Sequence, residues 1–363
     1  MSPPVFLQGR ALVSALGPTL DAAMASLRRG GVAPRPLDVA PGAQWPYFAI
    51  DDDGQSPADW YARARERVRQ AIIEAGADQH RTAPLFVASS SLNVGALESG
   101  APFLPDCQTF VEQLAAWLDW EGPVVWVSTA CTSSMVALLD ACQVVRDAQA
   151  THAVVLGLEL FNRFSGAGFG AMQLLDTQAA RPLAADRAGL VLGEALSVLV
   201  LGREPTRWRL CGGANRIDGS NPAGAHREAV ATMIRAALND SKLDAGAIDL
   251  IKLQAAGSPH NDAEEMAGVR AVFDTLPALT TLKTAIGHTL GASGAAEIAL
   301  LTACIEHGLW PAPPDGRPDP AIGAALSAHP PRARPRARHI LAHILGFGGG
   351  HVAVVLEDRA ASA

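Results

Sequence analysis

The chain has 363 residues, of which 49% are hydrophobic and 18% charged, with a formal net charge of −7. A chain of this size buries a large core in two domains or one duplicated unit, and its composition excludes a disordered or fibrous protein. The acidic balance argues against nucleic acid as a partner. No apolar run approaches the ~18–20 residues of a bilayer span, and the opening MSPPVFLQGRALVSALG lacks the regions of a secretory leader, so a cytoplasmic location is expected.

A short strand in VFLQGRALVSAL leads into a helix, TLDAAMASLRRG. Helix ADWYARARERVRQAIIEAGA, strand APLFVASS and helix FVEQLAAWLDW follow. Then VVWVSTA reads as a buried strand running straight into helix CTSSMVALLDACQVVRDAQA, and strands HAVVLGLEL and LVLGEALSVLVLG close the first half. WRLCGGANRI opens a second round with helix HREAVATMIRAALND, strand IDLIKLQAAG, helices DAEEMAGVRAVF and GASGAAEIALLTACIEHG, and strands RHILAHILGF and HVAVVLE. Apolar β-branched runs alternating with amphipathic helices indicate an α/β fold with buried sheets. The similar element order on either side of REPTR (203–207) divides the chain into residues 1–205 and 206–363, two related halves sharing one interface.

Five scattered cysteines with no CxxC pair read as reduced thiols, and no structural metal is expected. Cys131 stands out because it sits at a strand-to-helix junction, where unpaired amides and the helix dipole favour an anion and lower a thiol pKa. Cys142, eleven residues on, reads as core. In LKTAIGHTLGASG, Lys283 and His288 lie five residues apart across a glycine-rich turn. Taken alone, that lysine reads as solvated and the histidine as a core residue. In LQAAGSPHNDAEEM, Asp262 and Glu265 are spaced for a capping-box-like helix start. LGFGGGHVAVV reads as a glycine turn between two strands. PPRARPRARH places Arg332, Arg334, Arg336 and Arg338 in one basic loop, either solvated or suited to an acidic partner.

Five of these segments, in order, resemble the β-ketoacyl-acyl-carrier-protein synthases of the thiolase-like condensing enzymes: the opening strand and glycine turn, VSTACTSS, RPLAADRAGLVLGEA, KTAIGHTLGASG and LGFGGG. The resemblance implies a thiolase-like fold with two related α/β halves in an αβαβα layering. It implies an acyl-accepting Cys131, a second catalytic histidine at His288, the family lysine at Lys283, and a gate and oxyanion site at Phe347 and Gly348. Asp186, Glu194, Asp262, Glu265 and Glu297 take supporting places. No cofactor is implied beyond the phosphopantetheine arm of an acyl carrier protein, for which the arginine loop is a docking candidate, and a homodimer or a heterodimer with another ketosynthase is expected.

The resemblance breaks at one catalytic position. Where the family reads His-Gly-Thr-x-Thr, this chain reads Gln254-Ala255-Ala256-Gly257-Ser258, so the first catalytic histidine corresponds to Gln254. A glutamine donates hydrogen bonds but neither takes up nor releases a proton at neutral pH. His260 and His351 lie near by in sequence, the latter in place of a family asparagine, and Leu190 stands in place of a phenylalanine. These residues leave three functions open: a condensing enzyme with a neutral donor, a non-condensing chain-length-factor-like subunit, and a cysteine acyltransferase that does not decarboxylate.

Overall fold

The computed structural model describes residues 3–40, 42–51, 60–100, 106–220, 224–311, 316–328 and 337–362. The chain runs β1 (Val5–Ser14), α1 (Leu20–Arg28), β2 (Arg35–Ala40), β3 (Ala43–Phe48), α2 (Trp60–Glu74), β4 (Leu85–Ala88), α3 (Val94–Glu98), α4 (Cys107–Trp117), β5 (Val124–Val127), α5 (Ser133–Arg146), β6 (His152–Glu159), α6 (Arg163–Ala171), β7 (Leu192–Gly193) and β8 (Ala195–Gly202). It continues through β9 (Trp208–Ile217), α7 (Arg227–Ser241), β10 (Leu250–Lys252), α8 (Pro259–Arg270), β11 (Ala278–Thr280), α9 (Lys283–Ile286), α10 (Ser293–His307), β12 (His339–Gly346) and β13 (Gly350–Asp358). The first strand is ten residues long rather than short. Strands β2 and β3 and helix α6 have no counterpart in the sequence reading, and the strand read over LVLGEALSVLVLG divides into β7, in a small sheet with β2 and β3, and β8, in the main sheet.

Outward from the centre of the main sheet the order is β1-β8-β6-β4-β5 on one side and β9-β13-β12-β10-β11 on the other. Strand directions repeat too: the two outer pairings on each side are parallel and the inner ones antiparallel. The two sides join where Val5–Leu7 pair with Trp208–Leu210. Alternate residues of each strand face opposite ways, as the pleat requires. On β6, Ala153 and Val155 face a central core containing α5 and α10, while Val154, Leu156 and Leu158 face α2 and α4. On the other side α7 and α8 cover the outer face. Five layers result, which is the thiolase-like arrangement.

The central helices meet closely. Residues 293–304 of α10 are all buried, and a Cβ at Gly294 would lie 2.7 Å from Met135 N of α5. Only glycine allows that approach, and it brings the turn before α5 beside the turn before α10. One strand differs from expectation. β5 is the edge of the sheet, and Val125 (42%) and Trp126 (37%) are exposed, so this apolar strand is not buried.

Candidate active site

Between β5 and α5 the chain turns through Ala130, held at φ +52°. A left-handed alanine is strained, and hydroxyls on either side hold it. Ser133 Oγ donates to Ala130 O (2.6 Å) and accepts from Thr129 N–H (2.9 Å), while Thr132 Oγ1 donates to Thr129 O (2.6 Å). The turn leaves Cys131 ahead of α5, whose first residue is Ser133, rather than in its first turn. Its thiol is buried, and burial pushes it up to about 11, opposed only in part by Lys283 and by the backbone N–H groups of Phe347 and Cys131 itself. The expected helix-acidified thiol is therefore corrected: desolvation outweighs the dipole.

His288 enters from the turn before α10. Gly287, at φ +74°, lets the chain pass the Leu192 carbonyl, and His288 N–H then donates to Val191 O (2.7 Å) while Gly193 N–H donates to His288 O (3.1 Å). Its side chain spans two partners, with Nδ1 3.1 Å from Ser293 Oγ and Nε2 3.1 Å from Cys131 Sγ. Burial, then Lys283 and Lys252, hold the imidazole well below its usual pKa, so it is neutral at pH 7. Lys283 is buried, not solvated. Its ammonium binds Glu297, which also binds the buried Lys252 of β10, a residue the sequence reading passed over. The signal was a lysine inside the apolar strand IDLIKLQ.

The facing wall carries Gln254. Its backbone N–H and that of Ala255 donate to Glu265 (2.6 and 2.8 Å), whose Oε1 also lies 2.5 Å from His343 Nε2. Asp262 accepts from the amides of Leu183, Ala256 and Gly257. These two carboxylates pin the loop that presents Gln254. They are not a capping box, because Ser258 caps α8 and Asp262 lies within the helix. Burial, reinforced by Glu265, raises the Asp262 carboxyl to about 7. The Gln254 Oε1 is buried and has no hydrogen-bond partner among the described residues.

A cavity of about 50 Å³ separates the walls, lined by Cys131, His288, Gln254, Leu190, Phe169 and Phe347 among others. Phe347 stacks on Phe169 of α6 with ring centroids 5.4 Å apart. Gly348 lies at φ +80° and Gly349 at φ +75°, where a Cβ would meet Asp218 O at 1.8 Å, so this turn requires glycine. His260 is exposed, and His351 is buried but bonded through Nδ1 to Gly349 O (2.7 Å); neither lines the cavity. Glu194 is buried against Arg63 and the amides of Ile50 and Phe161, and Asp186 is an exposed partner of Arg181. Arg332, Arg334 and Arg336 lie outside the described residues, and Arg338 pairs with Glu357. Among the described residues no group of three or more His, Cys, Asp or Glu side chains is placed to hold a metal ion.

The beta-ketoacyl synthase N-terminal domain profile matches residues 107–206 and the C-terminal domain profile matches residues 210–315, together more than half of the chain. The chain belongs to the beta-ketoacyl synthase family. Within that family it is 30% identical over 296 residues to the ketoacyl synthase alpha subunit of the tetracenomycin polyketide synthase of Streptomyces glaucescens, covering 71% of this chain and 68% of that one. It is likewise 30% identical over 260 residues to the actinorhodin polyketide putative beta-ketoacyl synthase 1 of Streptomyces coelicolor, covering 66% of this chain. This ketosynthase-family chain spans 55% of the actinorhodin relative and 57% of a mitochondrial 3-oxoacyl-carrier-protein synthase of Arabidopsis thaliana, about half the length of either. The fold is shared almost end to end with a chain of the complex of a ketosynthase with its chain length factor from Xenorhabdus doucetiae (TM-score 0.83, 22% identity, 98% of both chains). A beta-ketoacyl synthase from Burkholderia phymatum matches it similarly (TM-score 0.80, 24% identity, 99% of this chain and all of that one). No helix among the described residues is long and apolar enough to cross a membrane.

Proposed function

We propose that the chain is a condensing enzyme that takes an acyl group from a carrier-protein thioester onto Cys131 and extends it by decarboxylative condensation, with Gln254 in the place of the first family histidine. The observation that carries this reading is the contact of His288 Nε2 with Cys131 Sγ at 3.1 Å, on a sulfur that also accepts the Phe347 N–H. With the thiol pushed up and the imidazole pulled down, the resting pair is neutral. As Sγ attacks the thioester carbonyl, its proton passes to Nε2, and Ser293 Oγ accepts from Nδ1–H to steady the cation that forms. The Cys131 and Phe347 amides hold the oxyanion, and its collapse expels the carrier thiol, which leaves with that proton. A malonyl-type extender then loses its carboxylate as carbon dioxide. His288, now in its Nε2–H tautomer with Ser293 Oγ donating to Nδ1, and the Gln254 amide Nε2–H donate to the enolate oxygen. The enolate carbon attacks the acyl-Cys carbonyl, and the Cys131 thiolate leaves and takes up a proton before the next cycle. No cofactor enters beyond the phosphopantetheine arm. The cavity is far smaller than an acyl chain, so entry requires the Phe347–Phe169 stack to part.

A second reading rests on β5. An edge strand exposing Val125 and Trp126 suits pairing with another subunit, either a second copy or a ketosynthase that this chain would complement as a chain-length-factor-like partner in the cytoplasm. The division into residues 1–205 and 206–363 belongs to this proposal as well, the first half supplying Cys131 and the second His288, Lys283 and Gln254. Intact-mass analysis with acyl carrier protein thioesters, with carbon dioxide counted from malonyl carrier protein, separates the readings. The condensing enzyme gives an adduct that Cys131→Ala abolishes, together with carbon dioxide. An adduct without carbon dioxide makes the chain an acyltransferase, and neither product leaves the subunit role.

A further inference from the structure

Behind the Cys131–His288 pair lie two lysines and one glutamate, none more than 1% exposed: Lys252 on β10, Lys283 on α9 and Glu297 on α10. Glu297 Oε1 accepts from Lys283 and Oε2 from Lys252. Burial and Lys283 lower the Lys252 pKa and Glu297 opposes them. With both ammonium groups charged, two on one carboxylate leave one positive charge in excess in the interior, a costly arrangement unless an anion answers it. The other carboxylates near by are already engaged. Glu265, from α8, holds the Gln254 and Ala255 amides and His343. Glu159, at the end of β6, holds Ser90, Ser91 and the Gly291 amide. The groups facing Cys131 are His288, Lys283 and Glu159; those facing Lys252 are Glu297, Lys283 and Glu265; and His288 faces both lysines.

We propose that Lys252 is a positioning residue: by occupying half of Glu297 it leaves Lys283 incompletely neutralised, so the site carries one excess positive charge that favours the anionic sulfur of Cys131. Lys252 acts through Glu297 and Lys283 and makes no contact with the thiol. This role rests on the reading of Cys131 as the nucleophile. It opposes the desolvation that burial imposes on the thiol, and a single Lys283–Glu297 pair, being neutral, would oppose it less.

The test is the pH dependence of Cys131 alkylation by iodoacetamide, followed by intact mass, with Cys131→Ala correcting for the other four thiols. Lys252→Met keeps an unbranched side chain one atom shorter and removes the charge. It is expected to raise the apparent thiol pKa by about one unit, and so to slow alkylation about tenfold at pH values below both transitions. Lys252→Met/Glu297→Gln leaves Lys283 as the single charge, restores the excess, and should return the rate to near the wild-type value. If Lys252→Met does not fold, Lys252→Gln makes the same change of charge and carries the same expectation. A single variant with the wild-type profile overturns the inference. So does a double variant as slow as the single one, because loss of packing would not be reversed by removing Glu297. A wild-type chain with no Cys131-dependent alkylation at any pH overturns the nucleophile reading itself, and this inference with it.

Discussion

The two walls of the cavity are built on opposite principles. On the Cys131 wall every polar atom of the reacting pair has a partner: Sγ meets His288 and the Phe347 amide, His288 meets Ser293, and Lys283 meets Glu297. On the Gln254 wall the backbone is pinned by Glu265 and Asp262, but Gln254 Oε1 is left without a partner. Proton transfer needs a titratable group held in place, whereas hydrogen bonding to an enolate needs only a donor, which Gln254 carries on its amide Nε2 and not on the partnerless oxygen. On the proposed function, acyl transfer to Cys131 draws on a fully partnered pair, while stabilisation of the enolate draws on His288 with a neutral helper.

The comparison breaks most sharply at His288. His288→Ala removes the imidazole that meets the thiol and should lower the rate of Cys131 acylation by ~10²–10⁴, read from the time course of adduct mass. A loss smaller than about tenfold would mean that the proton leaves by another route. With the thiol pushed up to about 11 and the imidazole held low, the neutral pair that reacts is the resting form across the neutral range, so the wild-type rate should be flat there. A rate that keeps rising into the mildly alkaline range would instead indicate attack by a free thiolate, with His288 taking no part in the proton transfer.

Asp262 sharpens the comparison from the other wall. Its carboxyl, raised from 3.8 to about 7 by burial and by Glu265, binds a proton more readily in the folded chain than in the unfolded one. The stability it contributes is complete below the unfolded value and is lost as pH rises through about 7. The loss amounts to a few kcal/mol, since each tenfold difference in proton affinity between the two states is worth about 1.4 kcal/mol. The melting temperature should therefore fall between about pH 5 and pH 8, and fall less in Asp262→Asn. Equal slopes in the two proteins would show that other groups set the trend.

Much of this arrangement is legible in the sequence. β6 and β8 are continuous apolar runs because helices cover both faces, and Cys131, Lys283 and His288 sit in segments whose small residues mark tight turns. The rest depends on distances that no local pattern carries. Lys252 looks like a polar interruption of a strand until Glu297, 45 residues on, is placed beside it. β5 reads as buried because nothing in VVWV says that it ends the sheet. α6 is hidden because three glycines in RFSGAGFGA oppose a helix, yet Asn162 caps it and its Phe169 closes the cavity. The thiol misleads for the same reason: the strand-to-helix junction is local, whereas the burial that outweighs it is assembled from both halves.

The smallest expected effect is the most discriminating between the walls. Gln254→Ala removes a neutral donor, whose net worth of about 0.5–1.5 kcal/mol corresponds to a loss of up to roughly tenfold in carbon dioxide release from malonyl carrier protein. Acylation of Cys131 should be unchanged, because Gln254 takes no part in moving the thiol proton. Gln254→His, which puts a titratable donor on the same pinned backbone, should leave acylation unchanged and raise carbon dioxide release. If both substitutions alter acylation as much as decarboxylation, the walls are not separable and Gln254 acts by shaping the cavity. If Gln254→His changes neither step, the neutral amide already supplies all that the enolate draws from that wall.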